Sequence, residues 1–127
     1  MSSDAAGIFK YVTSLKEEEV KRYDWGQISW LDSSELTGSE SLTVGVVYIY
    51  PEKGNPAHYH PNCDEALLLL QGELMHTIGD EEFHLSAGDL IHIPQGVKHR
   101  AECRGVEPAK MIVVYNTGRR EVVGEFD

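Results

Sequence analysis

Apolar and polar positions along this chain fall into short strand-like runs. They are Gln27–Leu31, Leu42–Tyr50, Ala66–Gln71, Leu74–Ile78, Glu82–Leu85, Leu90–Ile93, His99–Cys103 and Lys110–Asn116. Turn-forming residues separate them: Ser33-Ser34, Gly38, Pro51, Gly54-Asn55-Pro56, Gly72, Gly79-Asp80, Ala87-Gly88, Pro94-Gln95-Gly96 and Gly105. Many short strands with closely spaced turns predict an all-β sandwich or barrel. Ile78 to Phe83 reads as a hairpin, because Gly79 or Asp80 can supply the positive φ its turn needs. One short helix is predicted over Thr13–Val20, capped by Thr13 or Ser14 with glutamates in its first turn. The first several residues and the tail after Gly118 are expected to be loosely ordered, with Val122-Val123 as an optional edge strand.

Length and charge narrow this picture. The 127 residues suit one domain with one core. Eleven basic against twenty-one acidic residues give a net charge of −10, which argues against nucleic acid or an anionic membrane as the main partner. The amino end has no basic start followed by an apolar stretch, so no signal peptide is expected and the expected address is cytoplasmic. The longest apolar run, Ala66 to Leu70, is too short to span a bilayer. Cys63 and Cys103 are too few for a disulfide framework and are read as reduced thiols.

The chemistry concentrates in two histidine clusters. His58 and His60 are two apart, so in a strand they share a face, roughly 6.5–7 Å between Cα atoms, and both rings can reach one ion. Glu65 heads the apolar run Ala66 to Leu70, where a buried carboxylate needs a cation. His99 follows the corner made by Pro94-Gln95-Gly96, which turns the next strand back into the barrel. Three imidazoles and one carboxylate suit one divalent transition metal (Fe, Mn, Ni, Co, Cu or Zn) rather than Ca or Mg.

These residues resemble the cupin superfamily, in particular its small single-domain conserved barrels. The family's first motif, G-x5-H-x-H-x3–4-E-x6-G, is matched by His58, His60, Glu65 and Gly72, although Glu52 stands where the leading glycine belongs. The second, G-x5-P-x-G-x2-H-x3-N, is matched by Gly88, Pro94, Gly96 and His99, with Cys103 in place of the asparagine. The resemblance implies a double-stranded β-helix (jelly-roll) barrel, commonly a homodimer, with His58, His60, Glu65 and His99 as metal ligands. It implies one domain over residues 1–127, with a core at about 40–117 and N-terminal strands and helix over 1–39.

Other residues are weaker candidates. Tyr48 and Tyr50 share a face with Val44 and Val46, and could offer a phenol to substrate if that face is inward. His92 could line the pocket but reads better as a hydrogen-bonded structural histidine. Cys103 shares parity with His99, yet a small buried hydrophobe is the simpler reading, and Cys63 is a loop thiol without a visible base. His76 and His84 are expected to face solvent or each other across the hairpin. Lys98 and Arg100 read as solvated charges, and Trp25 and Trp30 as core or subunit-interface anchors. The leading functional expectation is a small metalloenzyme acting on an oxygen-rich small molecule (hydroxy-carbonyl, carboxylate or sugar derivative) by Lewis-acid or Fe(II)-oxygenase chemistry. The alternative is a non-catalytic sugar or small-ligand binding module, and the weakest is a structural barrel stapled by metal.

Overall fold

A computed structural model describes residues 9–124, and the expected loose order of the first several residues lies outside them. The described residues form eleven strands: β1 (Lys21–Tyr23), β2 (Gly26–Asp32), β3 (Thr43–Ile49), β4 (His58–Tyr59), β5 (Glu65–Gln71), β6 (Glu73–Ile78), β7 (Glu81–Ser86), β8 (Leu90–Ile93), β9 (His99–Cys103), β10 (Ala109–Tyr115) and β11 (Val123–Gly124). They make two antiparallel sheets, ordered β1-β2-β3-β10-β5-β8 and β11-β4-β9-β6-β7. This is the expected jelly-roll barrel, and all eight sequence-read runs correspond to strands.

Period-two alternation sorts the side chains. Leu67 and Leu69 of β5, Met111 and Val113 of β10, and Ile91 and Ile93 of β8 point inward from the first sheet. Leu74 of β6 and Ala101 and Cys103 of β9 meet them from the second. Burying a side chain of this size is worth about 1.5–3 kcal/mol, so this shared face holds the sheets together. The polar buried residues His58, His60, Glu65, His76 and His99 gather away from the Leu69–Leu74–Cys103 end, where the packing is apolar.

Three expectations change. The helix over Thr13–Val20 is only a 3-10 turn at Glu17–Glu19, since Lys16 before it is extended and Thr13 Oγ1 donates to Leu31 O at 2.8 Å instead of capping. A stretch so short and polar cannot repay helix nucleation. A four-residue α-helix, α1 (Ser34–Thr37), forms elsewhere: Ser33 caps it by accepting from Leu36 N at 3.1 Å, and Gly38 closes it at φ 87°. The tail after Gly118 is tied down through Gly124: Val123 and Gly124 pair with Tyr59 and His58, and Arg119 meets Glu40. Among the described residues no helix is long and apolar enough to cross a membrane.

Candidate metal centre

Three imidazoles come from one sheet and the carboxylate from the other. His58 on β4 pairs in register with His99 on β9, and His60 follows β4 by one residue. Glu65 opens β5, in register with Tyr115 and Ile93. All four side chains are buried, and one ligand atom from each lies within 4.8 Å of every other.

The backbone fixes each ring. The Nδ1 atoms of His58, His60 and His99 lie 2.8, 2.9 and 2.9 Å from the carbonyl oxygens of Pro56, Glu121 and Val97. A carbonyl only accepts, so each Nδ1 carries the hydrogen and each neutral ring keeps its Nε2 lone pair. His60 Nε2, His99 Nε2 and Glu65 Oε1 are buried without a hydrogen-bond partner, although the two nitrogens stand 3.3 and 3.2 Å from that oxygen. Converging lone pairs repel, and a buried unpaired polar group costs about 1–3 kcal/mol. Protons or a cation must lie between them. Carbonyl-oriented imidazoles around a carboxylate fit a divalent transition metal.

Electrostatics favour the ligand state. Burial pushes the Glu65 carboxyl up, but the His60 and His99 rings beside it outweigh this and hold it well below the usual carboxylate range. Burial, then the neighbouring His99, lowers His58 to about 4. Beside the centre opens a cavity of about 350 Å³. Trp25, Trp30, Ile28 and Leu67 give it apolar walls, and Asn55, His76, Tyr115 and Arg120 give it polar points.

His76 was expected at the surface. It is instead buried, lines the cavity, and stacks on His99 with ring centroids 5.7 Å apart. Its Nδ1 is buried without a partner, and burial lowers its pKa to about 4. Parity could have found it, because His76 shares a face with the inward Leu74. His84 lies on the other face, 3.1 Å from Glu73. Arg120 and Tyr115 were also missed, since neither stands in a motif.

Of the weaker candidates, Tyr48, Tyr50, His92, Cys103 and Cys63 are not among the cavity walls. On β3 the inward face is Thr43, Gly45, Val47 and Ile49, so Tyr48 points outward beneath Lys110, whose Nζ is 5.6 Å from the ring centroid. Tyr50 lies past the end of β3 and its ring is not among the cavity walls. His92 is exposed, its Nε2 2.9 Å from Asp64 Oδ2. Cys103 is inward but roughly 13 Å along β9 from His99, and its thiol donates to Glu107 O at 3.3 Å. Cys63 is buried, its thiol pushed up by burial. Trp25 and Trp30 are half-buried cavity walls, and Arg100 points outward toward Glu102.

Residues 45–115 match the sequence model of the family described as Cupin domain. The tetracenomycin polyketide synthase protein TcmJ of Streptomyces glaucescens is 32% identical over 59% of this chain and 50% of its own length. Polyketide synthase CurC of Streptomyces cyaneus is 30% identical over 80% of this chain and 66% of its own length. The chain therefore spans about half to two thirds of these relatives. Among solved structures, a Lactobacillus farciminis oxalate decarboxylase formate complex superposes with a TM-score of 0.78 at 22% identity, over 87% of this chain and 33% of that one. A Bacillus subtilis oxalate decarboxylase structure concerned with that enzyme's Mn(II) centres superposes with a TM-score of 0.79 at 23% identity, over 85% and 30%.

Proposed function

Because the chain belongs to the cupin domain family, we propose that it is a metal-dependent enzyme. In this reading His58, His60, Glu65 and His99 hold one divalent transition metal, and the adjoining cavity takes a small molecule with two neighbouring oxygens on an apolar body. The observation that carries the proposal is the tethering of three Nδ1 atoms to backbone carbonyls, which leaves three imidazole lone pairs and a carboxylate oxygen turned toward one point. A metal bound there would polarise a substrate carbonyl or hydroxyl as a Lewis acid.

The chain's own residues supply the rest. Trp25, Trp30 and Leu67 shield the reacting oxygens from water, which strengthens every charge interaction in the cavity. His76 is a neutral imidazole at physiological pH, so it can accept a proton from the bound molecule and return it. Walls this apolar and aromatic suit a flat, partly apolar substrate better than a free sugar, which would need hydrogen bonds on every side. The likeness to polyketide synthase proteins supports the same substrate class.

Elemental analysis of the purified chain, followed by product analysis against hydroxy-carbonyl and phenolic compounds, tests the reading. The expected outcome is one metal per chain and turnover without oxygen uptake, lost in His60→Ala and strongly slowed in His76→Gln. Oxygen uptake by iron-loaded protein would assign Fe(II)-oxygenase chemistry instead, and binding without product would assign a non-catalytic module.

A further inference from the structure

Arg120 has five N–H donors and, among the described residues, neither a hydrogen bond nor an ion pair holds them. This contrasts with Arg119, whose guanidinium is forked on Glu40. The Arg120 guanidinium carbon lies 4.6 Å from the Trp30 ring centroid and 5.2 Å from that of Tyr115. Two aromatic rings therefore hold the cationic head in the cavity wall and offer its N–H groups no acceptor. Arg120 also lines the cavity that contains His58, Glu65, His76 and His99. Tyr115 in turn packs edge-on against His60, ring centroids 4.9 Å apart, so Arg120 stands one aromatic ring beyond the four converging side chains.

The charges around this cavity are distinctive in a chain of net charge −10. Its walls carry two full cations, Lys21 and Arg120, and a single carboxylate, Glu65, which the metal would neutralise. A guanidinium fork with its donors unspent matches a carboxylate in geometry as well as charge. We infer that Arg120 is the anion-recognising residue of the cavity, and that the substrate carries a carboxylate at the end opposite its metal-binding oxygens. The inference rests on the proposed function for the second half of that statement only; the charge preference of the cavity can be read without metal.

The test titrates 3,4-dihydroxybenzoate against 3,4-dihydroxybenzamide, which share a chelating diol and differ in the charge at the far end. Zn(II)-loaded full-length protein keeps the diol from being oxidised, and quenching of tryptophan fluorescence reports binding because Trp25 and Trp30 line the cavity. The acid should bind about tenfold or more tighter than the amide. Arg120→Met should abolish that preference, and Arg120→Lys should restore only part of it, since an ammonium lacks the fork. Zinc content and melting temperature, measured on each variant, should stay near those of the parent. Equal affinity for acid and amide in the parent, no binding of either, or an unchanged preference in Arg120→Met would overturn the inference. Zinc uptake is measured first: a chain that binds no zinc ends the metal reading, and the same titration on metal-free protein still decides the role of Arg120.

Discussion

At the scale of single residues, Glu52 shows how the chain departs from its family pattern and what that costs. It has φ 67°, the left-handed region that favours glycine, and occupies the position where the first motif carries glycine. Gly72, Gly88 and Gly96, the motif glycines that are present, also have positive φ. Glu52 therefore adopts a backbone conformation that glycine would take without strain. Glu52 is exposed, so Glu52→Gly should stabilise the fold by roughly 0.5–1 kcal/mol through relief of strain, read as a higher urea midpoint at an unchanged slope. His60→Ala should have another signature: loss of the bound metal and of the stabilisation that added metal brings, about 2.7 kcal/mol at a hundredfold excess over Kd.

At the scale of elements, the short pieces decide the site. β4 has only two residues, yet it places His58 against His99. β11 covers its other edge, and Asn62 secures the intervening loop: its Nδ2 donates to Arg119 O at 2.9 Å, and its Oδ1 accepts from Glu121 N at 3.0 Å. That loop delivers the carbonyl that orients His60. Removing residues 119 onward should therefore weaken metal binding by about 10- to 100-fold, as loss of a ligand-orienting partner does. Metal titration followed by circular dichroism checks this, with the strand signal largely kept. Gly45 serves a neighbouring purpose on β3. A Cβ there would lie 2.6 Å from the Trp30 ring, the surface on which Arg120 stacks. Gly45→Val should destabilise by about 1–3 kcal/mol, in the range of overpacking, and shift the tryptophan emission.

At the scale of the whole molecule, several exposed apolar side chains lie on the segment leading into an edge strand. Tyr11, Val12 and Leu15 precede the edge strand β1, where Tyr23 is also exposed. An edge strand preceded by exposed apolar side chains can pair with a second copy, so we predict that the chain sediments as a homodimer and that charges placed at Val12 and Leu15 make it a monomer. The barrel and its four converging side chains were legible in the sequence because both rest on local rules. Alternation marks strands, and the His58-x-His60 spacing with Glu65 and His99 marks the four side chains that converge as a candidate ligand set. What was illegible depended on which face of a strand turned inward. Tyr48 stands in an alternating run with apolar neighbours of both parities, and only sheet pairing chose its face, whereas parity with Leu74 and Ile78 already pointed His76 inward. Arg120 and Glu121 could not be read at all, because their partners lie far away in sequence and no periodicity announces them.

The carbonyl of Glu121 lies sixty-one positions beyond the ring it steadies. A nascent chain leaves the ribosome with both motifs before that carbonyl exists, so early in synthesis the ring of His60 is free to turn. In the proposed metal-binding reading, selective loading would wait until this late segment has docked, which would delay ion capture until the barrel is almost finished and spare a half-made centre from whichever cation is nearest.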